Sequence, residues 1–471
     1  MARRERVPVL GAAYEAKRET LVPSGGVQKM DRPDRGENLR ACQTVKSRSI
    51  EGIDRNRLGN WDRVLVTGGT GCVGTAVLKL LKSMGVSQLI SVADRPPAAR
   101  RTVPGVEYVR CDVTDLVGIE QTLLRTRPDL VVHLAAVRDP GLAERRVIDA
   151  VTTNVVGTEV VMHGCQTAGV PVAVAASTGK AMRMFTSDVY ASTKQLVEYQ
   201  VGRAGRASGM RTGCARFTHI VDNSLIWAKL VRWAKSGAPI ALHGPDPNLY
   251  VQSAREAAEL MILTAKIAAD NPDPGWVTAI TNLGWPPVNL FGLAMDVVED
   301  TGSLSPIVSV GFPPGYEERP YPGTTDPLTA GDHTPLFSAI EVAQSVSPAG
   351  SIDAVDVVSL LPPKRSVDAD LRSLELSLFS RSPAIVREQL RATSQTYLRH
   401  KLACAPADAL ASMARRGSRH ELTSADHHVA HKVILEASLR TCPPLGAGDV
   451  TGMARSLGRS APNDVSSLVL R

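Results

Sequence analysis

The stretch that decides the fold is VLVTGGTGCVG, residues 64–74. It has the pattern of a short apolar strand, a glycine turn and the start of a helix. Gly68 lets the chain turn tightly, Gly71 lets backbone N–H groups approach a phosphate, and Gly74 lets the helix pack close to the strand. The N-terminus of that helix adds partial positive charge. We therefore expect a dinucleotide to bind here, with its pyrophosphate against Gly68, Thr70, Gly71, Cys72, Val73 and Gly74.

Short apolar runs alternate with helical stretches around this turn. The runs stand at 63–66, 89–92, 130–134 and 170–175. Buried strands that alternate with helices are typical of parallel βαβ units. The fold class is therefore α/β, a doubly wound Rossmann-type parallel sheet. After about residue 215, proline and glycine become frequent, which indicates a smaller substrate lobe fed by loops from the carboxyl edge of the sheet.

The remaining segments complete the domain division. Residues 1–60 are polar and basic and show little periodicity, so we expect a mobile arm that includes at most one short helix. Residues 61–345 form the Rossmann-type domain, with the substrate lobe mainly in 216–345. A Ser/Pro/Gly linker near 345–351 opens the last unit, 346–471, which is a helical C-terminal extension. Its apolar positions are Leu371, Leu374, Leu378, Ile385, Leu390 and Leu398.

Composition excludes several classes of protein. The net charge is +7, but residues 1–57 hold thirteen Lys and Arg against eight Asp and Glu, so most of the excess is a basic tail. No aromatic and basic residues interleave as a nucleic-acid surface would require. No apolar run reaches the length of about 18 residues that a membrane span needs, and no secretory signal is visible. The seven scattered cysteines form no CxxC pair, which favours free thiols in a reducing cytoplasm.

Strand ends supply further cofactor contacts. Asp94 ends the second strand, where a carboxylate accepts hydrogen bonds from the adenosine ribose and favours NAD. Arg95 follows directly and could neutralise a 2′-phosphate, so NADP stays open. Asp112 is placed to reach the adenine edge, with Val113 beside it, and His133 is interpreted as a packed strand-end residue. The fourth strand closes beside the cofactor with Leu134, Ala135 and Ala136.

A tyrosine and a lysine stand four residues apart at Tyr190 and Lys194, on one face of a helix. A lysine ammonium near a phenol lowers its pKa toward the working range. The lysine also holds the nicotinamide ribose. Ser177 and Thr178, at the end of the preceding strand, supply hydroxyls that orient a reacting alcohol. Together these groups predict removal of an alcohol proton while hydride leaves for the cofactor.

The chain resembles the extended short-chain dehydrogenase/reductase superfamily. More closely it resembles the capsule-polysaccharide branch, the inverting 4,6-dehydratases and epimerases of UDP-N-acetylhexosamines. The resemblance runs from about residue 50 to about 398 and includes the motifs at 67–71, 133–136, 153–158, 177–181, 190–194, 256–257 and 311–315. It implies oxidation of a sugar at C4, which acidifies the C5 proton. In the family, a Ser-Thr-Asp-Lys-Ala motif then acts, its lysine at C5 and its aspartate on the departing C6 hydroxyl.

Departures from the family pattern matter as much as the matches. The motif aspartate is Gly179, whereas its lysine is kept as Lys180, a combination that favours epimerisation without loss of water. Asp188 could replace the missing acid, although a solvent-facing residue at a helix start is the preferred interpretation. One family arginine is Leu249, another is lost within 313–317, and the usual Gly-Asn-Val becomes residues 218–220, which place a histidine, His219, near the rim of the site. Because arginines grip diphosphates, a substrate with less phosphate is expected.

The leading hypothesis is an NAD-dependent sugar-modifying enzyme with Tyr190, Lys194, Thr178, Lys180 and Ser177 as its catalytic residues. It oxidises a sugar hydroxyl, at C4, to a transient ketone and epimerises C5 or C4 with return of the hydride. The substrate would be a nucleoside, a sugar phosphate or a natural-product glycoside. The alternatives are a nucleotide-sugar 4,6-dehydratase, a net NAD(P)-dependent alcohol oxidoreductase and a catalytically idle NAD-binding regulator.

The partners and the metal content are also predicted from the sequence. We expect a small-molecule sugar substrate, no nucleic-acid or membrane partner, and a homo-oligomer in the cytoplasm. Three histidines, His427, His428 and His431, share a helical spacing that would suit zinc, but no further ligand cluster accompanies them. No metal site is therefore expected.

Overall fold

The computed structural model describes most of the chain beyond residue 35. The described residues are 36–46, 48–50, 61–223, 225–244, 248–271, 276–280, 288–312, 314, 316, 321, 324, 336–342, 346–349, 352–356, 364–422 and 424–441.

The strands are short and follow the apolar runs of the sequence. They are β1 Arg63–Thr67, β2 Gln88–Ala93, β3 Val106–Arg110, β4 Leu130–His133, β5 Val172–Thr178, β6 Arg211–Phe217, β7 His219–Ile220, β8 Ile240–Leu242, β9 Asn248–Leu249, β10 Val251–Gln252, β11 Trp276–Ile280, β12 Val288–Asn289, β13 Ile307–Ser309, β14 Val346–Ala349 and β15 Ile352–Asp356.

The α-helices occupy the connections and the C-terminal part of the chain. They are α1 Glu37–Val45, α2 Cys72–Ser83, α3 Leu116–Thr126, α4 Pro140–Arg145, α5 Val147–Val151, α6 Gly157–Thr167, α7 Val189–Ser208, α8 Leu225–Ser236, α9 Ala254–Asp270, α10 Leu290–Asp300, α11 Ala339–Val342, α12 Lys364–Ser377, α13 Pro383–Ala403, α14 Ala407–Ser418 and α15 Ala425–Thr441.

One nine-stranded sheet organises the described part of the molecule. Its order is β14-β15-β11-β6-β5-β4-β1-β2-β3, and the strands from β3 to β11 in that order pair in parallel. The strand order reverses between β1 and β4, so their carboxyl ends border the crevice where this class of sheet binds ligands. The prediction of a doubly wound Rossmann-type sheet is confirmed.

The sheet is sandwiched between helices because its strands are apolar on both faces. The β1 side chains of Val64 and Val66 belong to one core cluster, with α2 and α9, and Leu65 belongs to the other, with α3 and α6. Neighbouring side chains of a strand point to opposite faces. Helices thus pack on both faces of β1, which fixes the position of the glycine turn at its end.

The smaller lobe has its own core, and part of the expected mobile arm belongs to it. Helix α1 packs Cys42 and Val45 against α8 and α10. The carboxylate of Asp296 accepts hydrogen bonds from the backbone N–H groups of Gly36 (3.1 Å) and Leu39 (3.0 Å). The short helix expected within the arm over 1–60 is thus present, but residues 36–46 are not a mobile arm, because this amphipathic helix packs against a partner far along the chain. Residues 1–35 and 51–60 lie outside the described residues.

The predicted linker near 345–351 contains sheet instead. Strand β14 pairs antiparallel with β15, and β15 pairs antiparallel with β11, so this segment extends the parallel sheet by a hairpin. Strand β14, which contains Pro348, is the edge strand, the position in a sheet where proline is tolerated.

The helical C-terminal extension is confirmed as α12 to α15. Leu371, Leu374, Leu390 and Leu398 are buried as expected, and Leu378 is partly buried against the same cluster. Ile385 is exposed instead, because it falls on the outer face of the first turn of α13. These helices pack against α7, the helix that carries Tyr190.

Candidate active site

The glycine turn has the geometry that a pyrophosphate cradle requires. Gly68 adopts a left-handed φ of 68°, and its carbonyl accepts the N–H of Gly71 at 2.9 Å. A Cβ on Gly74 would lie 2.3 Å from the Gly68 oxygen, and a Cβ on Gly68 would lie 2.8 Å from the backbone nitrogen of Ala135. Helix α2 starts directly at Cys72 and directs its N-terminus at this turn. The residues present therefore fit a dinucleotide.

His133 is a structural residue, as the sequence suggested. Its ring lies 2.8 Å from the Thr67 hydroxyl and 3.1 Å from the Thr158 hydroxyl, and its side chain is buried. The Thr67 hydroxyl also accepts the N–H groups of Leu134 and Ala135, at 3.1 and 3.3 Å. Burial, with a smaller contribution from Lys194, lowers the pKa of His133 to about 3. A neutral imidazole thus fixes the loop after β4 beside the glycine turn.

The expected adenosine contacts stand at the correct strand ends. Asp94 and Arg95 follow β2, are exposed, and form a salt bridge with each other at 3.0 Å. Asp112 follows β3 and accepts the N–H of Thr114 at 2.9 Å, which fixes the turn before α3. The buried neighbour, Val113, packs under this turn. These positions agree with an adenosine site at the β2–β3 side of the crevice.

Tyr190 stands at the first turn of α7 and hydrogen-bonds to Thr178 at the end of β5. Burial is the main reason that the pKa of Tyr190 rises to about 12, and Asp188 raises it further, while Thr178 and Arg138 act in the opposite direction. The expectation that Lys194 lowers the pKa of Tyr190 is therefore wrong for this structure. The Lys194 ammonium instead donates to the carbonyl of Ala176 at 3.0 Å.

Lys194 is buried, and burial lowers its pKa to about 8, although Cys214 and Glu198 act to raise it. An ammonium held under the carboxyl end of β5 is one turn of α7 from Tyr190. That spacing keeps both groups at the same sheet edge as the glycine turn.

The structure turns Ser177 away from this cluster. Its buried hydroxyl donates to Glu198 at 2.5 Å, whereas Thr178 hydrogen-bonds to Tyr190. Glu198 lies about two turns of α7 beyond Tyr190, so Ser177 is directed at a different part of that helix. Glu198 is also paired with Arg216, which is bound on its other side by Glu341. The expectation that Ser177 orients the alcohol therefore fails on geometry.

Lys180 pairs with Asp188, a residue that the sequence analysis interpreted as solvent-facing. Its ammonium donates to Asp188 at 2.9 Å, and the Asp188 side chain is fully buried. The other Asp188 oxygen accepts the N–H of Ala191 and caps α7. The preferred interpretation of Asp188 as solvent-facing is wrong, because the helix start it occupies is covered by the preceding loop. A lysine–carboxylate pair thus stands beside Tyr190.

The position of the missing family aspartate is closed. A Cβ on Gly179 would lie 2.6 Å from Cδ2 of Leu336, a buried residue of the main core. A longer side chain there would have to displace Leu336.

Sequence reasoning did not single out Asn154 as part of the site. Asn154 lies in a π-helical turn, Thr152–Val156, and donates to the Thr193 hydroxyl at 3.0 Å. Its amide also exchanges hydrogen bonds with the backbone of Val137, at 2.7 and 3.1 Å. It thereby ties α7 to the loop after β4. Single π-helical turns occur often at functional sites, and the motif at 153–158 was the signal available.

Arg138 was also missed. It is an exposed cation that acts electrostatically on Cys72, Tyr190 and His219. Burial, followed by Arg138, lowers the pKa of His219 to about 4. His219 in β7 is thus affected by the same cation as Cys72 and Tyr190.

Two of the three C-terminal histidines pack against Tyr321, and the third, His428, is exposed. His431 accepts or donates one hydrogen bond with the Tyr321 hydroxyl at 2.8 Å, and His427 packs its ring against the same tyrosine. No group of three His, Cys, Asp or Glu in the described part of the chain could hold a metal ion.

Comparisons with known proteins place this site in a family. The model that matches residues 64–244 is the NAD dependent epimerase/dehydratase family. That segment begins in β1 and includes the glycine turn, β5 and α7. The family is NAD dependent, in agreement with the cofactor expected from the sequence, and the resemblance to extended short-chain dehydrogenases/reductases is confirmed.

Three curated relatives of this family segment illustrate its range. An uncharacterized membrane protein of Methanocaldococcus jannaschii is 29% identical over 44% of this chain and 63% of its own. The probable polysaccharide biosynthesis protein EpsC of Bacillus subtilis is 23% identical over 54% and 44%. The inverting UDP-N-acetylglucosamine 4,6-dehydratase of Campylobacter jejuni is 27% identical over 35% and 51%. The chain spans about half the length of the curated relatives it matches.

Among solved structures, Pen from Bacillus thuringiensis superposes with a TM-score of 0.52 at 18% identity, over 63% of this chain and 89% of that one. This likeness supports the fold. Within the described residues, no helix combines the length and the apolar character that crossing a bilayer demands.

Proposed function

We propose that this chain is an NAD-dependent sugar-modifying enzyme that oxidises a sugar hydroxyl, at C4, to a transient ketone and then epimerises C5 or C4. The observation that carries the proposal is the cluster of Thr178, Tyr190 and the Lys180–Asp188 pair at the carboxyl edge of the sheet that also bears the glycine turn. The family is one of epimerases and dehydratases, which agrees with this chemistry.

The first step assigns a role to each hydroxyl. Tyr190 takes the proton of the sugar hydroxyl, and Thr178, which hydrogen-bonds to Tyr190, orients that hydroxyl. Lys194 supplies positive charge at the end of β5 and holds a ribose hydroxyl. NAD, when bound, supplies the hydride acceptor and returns the hydride at the end. The N-terminus of α2 and the turn from Gly68 to Gly74 would hold the pyrophosphate.

The second step depends on the Lys180–Asp188 pair. A ketone at C4 acidifies the C5 proton. Lys180 lies 2.9 Å from Asp188 and can accept the C5 proton as a neutral amine once its own proton has passed to the Asp188 carboxylate, and it can return that proton afterwards. The side chain of Lys180 remains about a quarter exposed, at 23%, whereas Asp188 is at 0%. The lysine is thus the member of the pair that faces a substrate. With no carboxylic acid at Gly179, a departing C6 hydroxyl lacks the family's proton donor.

Asp188 supports a second candidate function, a 4,6-dehydratase that uses a different acid. The carboxyl group is buried within hydrogen-bond distance of Lys180 and acts electrostatically on Tyr190, so it belongs to the same cluster. As a proton donor to a C6 hydroxyl it would restore loss of water.

The proposed substrate carries less phosphate than a nucleoside diphosphate sugar: a nucleoside, a sugar phosphate or a natural-product glycoside. Leu249 in β9 stands where the family has an arginine. Within 313–317 the structure describes Pro314 and Tyr316, and the Tyr316 ring lies 5.4 Å from the Lys180 ammonium. A ring beside the lysine suits the body of a sugar better than a second phosphate.

The deciding experiment incubates the enzyme and NAD with candidate sugars in D₂O. Deuterium at C5 of a product that keeps its mass otherwise supports epimerisation at C5, and inversion at C4 without deuterium supports epimerisation at C4. A product lighter by one water supports the 4,6-dehydratase. NADH that accumulates without deuterium anywhere overturns both candidates and favours net oxidation.

A variant tests the assigned base. Tyr190→Phe should lower turnover by about 10²–10⁴-fold, the usual contribution of general acid–base catalysis. Tyr199→Phe is the matched control, since this tyrosine of α7 donates to Asp368 at 2.9 Å and lies outside the site. Equal turnover by Tyr190→Phe and the native enzyme would mean that the base is wrongly assigned.

A further inference from the structure

The segment from Gly179 to Asp188 connects β5 to α7 and carries both members of the Lys180–Asp188 pair. We call it the active-site segment. One of its residues, Phe185, has a φ of 55° although it is not glycine, and its side chain is fully buried. Such a backbone conformation persists only where the surroundings over-determine it. The contacts of Phe185 therefore show what holds the active-site segment.

The C-terminal helices α13 and α15 contact the active-site segment. Asp426, in the first turn of α15, accepts two hydrogen bonds at 2.8 Å through one oxygen, from the N–H and the hydroxyl of Ser187. The guanidinium of Arg399 in α13 lies 5.7 Å from the centre of the Phe185 ring. Phe185 also belongs to the core cluster formed by α12 to α15 and α7.

A third contact reaches the segment through α7. The Gln195 amide donates to the Arg183 carbonyl, and its oxygen accepts the Ser394 hydroxyl of α13 at 2.5 Å. Gln195 is buried, so this bridge is shielded from water. The segment is therefore held at residues 183, 185 and 187, and each of these contacts involves the extension directly or through one side chain.

We infer that the C-terminal helices position the Lys180–Asp188 pair, with Asp426 as one of the positioning residues. Asp426 lies outside residues 64–244, the part of the chain that the family model matches. The inference rests on the proposed function where it concerns proton exchange at C5. It does not give Asp426 any contact with substrate or cofactor.

The experiment compares Asp426→Ala, Asp426→Asn and a control, Asp408→Ala, which removes an exposed aspartate from the first turn of α14. Two reactions are measured in D₂O: formation of NADH in a single turnover, which reports Tyr190, and deuterium entry at C5, which reports Lys180. A displacement of about 1 Å can cost 10²-fold in rate. Asp426→Ala should therefore slow deuterium entry by about 10–100-fold and NADH formation by less than about 3-fold.

The other variants sharpen the result. Asp426→Asn should restore most of the exchange, because its amide oxygen can accept the same two hydrogen bonds. Asp408→Ala should match the native enzyme in both reactions. The inference is overturned if Asp426→Ala slows both reactions equally or neither, or if Asp426→Asn is as slow as Asp426→Ala.

A readout without substrate separates this inference from the proposed function. Amide hydrogen exchange of residues 179–188 should quicken in Asp426→Ala, with the peptides of β1 to β4 unchanged. Unchanged exchange in the segment overturns the positioning role. A native enzyme that never exchanges C5 while the segment loosens as expected counts against the proposed function alone and upholds the positioning role.

Discussion

At the residue scale, the buried imidazole of His133 couples stability to pH. Its pKa is lowered to about 3 in the folded chain, chiefly by burial, against an ordinary value of 6.5. Between these values the unfolded chain binds one proton more than the folded chain. The free energy of unfolding therefore falls as the pH falls through this window, by about 1.4 kcal/mol per pH unit where the difference is complete.

His133→Gln tests this coupling. Glutamine keeps a donor and an acceptor for Thr67 and Thr158 but does not titrate. We expect the free energy of unfolding in urea to depend less on pH in the variant than in the native chain between pH 6.5 and pH 4. His219, whose pKa is lowered to about 4, contributes to the pH dependence that the variant keeps. Parallel curves for variant and native chain would show that His133 is protonated in the folded state.

The closed position at Gly179 allows a change of reaction outcome. Gly179→Asp alone should displace Leu336 and lower the thermal midpoint, since a Cβ already lies 2.6 Å from that side chain. Combined with Leu336→Ala, the carboxyl group should fit and supply an acid for the departing hydroxyl.

We expect the double variant to form a product lighter by one water, detected by mass spectrometry, at several times the level of Leu336→Ala alone. Equal levels in the two variants would show that the acid, once present, does not reach the C6 hydroxyl.

The roles of some residues can be predicted from local sequence spacing, whereas the environment of others depends on tertiary packing. The glycines and Tyr190 follow from spacing, because their chemistry depends on neighbours within one turn. Ser177 and Asp188 do not. Ser177 bonds to Glu198 farther along α7, and Ser187, directly before Asp188, bonds to Asp426, 239 residues further along the chain.

At the element scale, the turn between β1 and α2 requires glycine for its close approach to the strand. Gly74→Ala would place a Cβ 2.3 Å from the Gly68 oxygen and 2.6 Å from the Gly69 Cα, both of them backbone atoms. Helix α2 must therefore shift away from β1, and we expect NAD to bind at least about 10-fold more weakly, a loss of about 1.4 kcal/mol.

Ala76→Gly is the matched control, because it weakens α2 by a comparable amount without filling the cradle. Calorimetric titration with NAD should show a loss for Gly74→Ala and native affinity for Ala76→Gly. Similar losses in both variants would point to the stability of α2 rather than to the cradle.

Elements with strong local patterns were predicted and those that depend on distant pairing were not. The apolar runs of β1, β2, β4 and β5 indicate buried strands by themselves. The hairpin of β14 and β15 has a Ser/Pro/Gly composition typical of a linker, and it becomes sheet because β11 offers an edge. Helix α1 likewise depends on α10, more than 240 residues away.

At the scale of the whole molecule, a buried ion network joins the extension to the sheet. Arg216 pairs with Glu198 at 2.7 Å and with Glu341 at 2.8 Å, and Lys401 donates to Glu341 at 2.6 Å. Arg216 and Lys401 hold the pKa of Glu341 well below its usual range, although burial opposes them. Removing one member leaves a buried charge with too few partners.

Lys401→Met should therefore lower the free energy of unfolding by about 3–5 kcal/mol, the usual cost of breaking a buried pair. Lys401→Met combined with Glu341→Gln should recover part of that loss. Lys266→Met, which removes a surface pair with Asp270, should cost less than about 1 kcal/mol. Urea unfolding measures all three, and a small loss in Lys401→Met would show that water reaches Glu341.

The overall organisation was predicted in outline. The Rossmann-type sheet and the helical extension follow from periodicity, whereas the packing of the extension against α7 does not, because no local pattern encodes it. The expected homo-oligomer stays a prediction, and light scattering of the purified chain tests it.

The ion network has a consequence for modularity. Arg216 lies inside residues 64–244, but two of its three hydrogen-bond partners, the Leu336 carbonyl and Glu341, lie beyond residue 244. A chain cut at that boundary would keep a buried guanidinium with one carboxylate instead of two, and Glu198 would have to balance it alone. Residues 64–244 and the part of the chain beyond residue 244 therefore depend on each other for this charge balance. A chimera that replaces either part with that of a relative must also replace or keep the paired charges together.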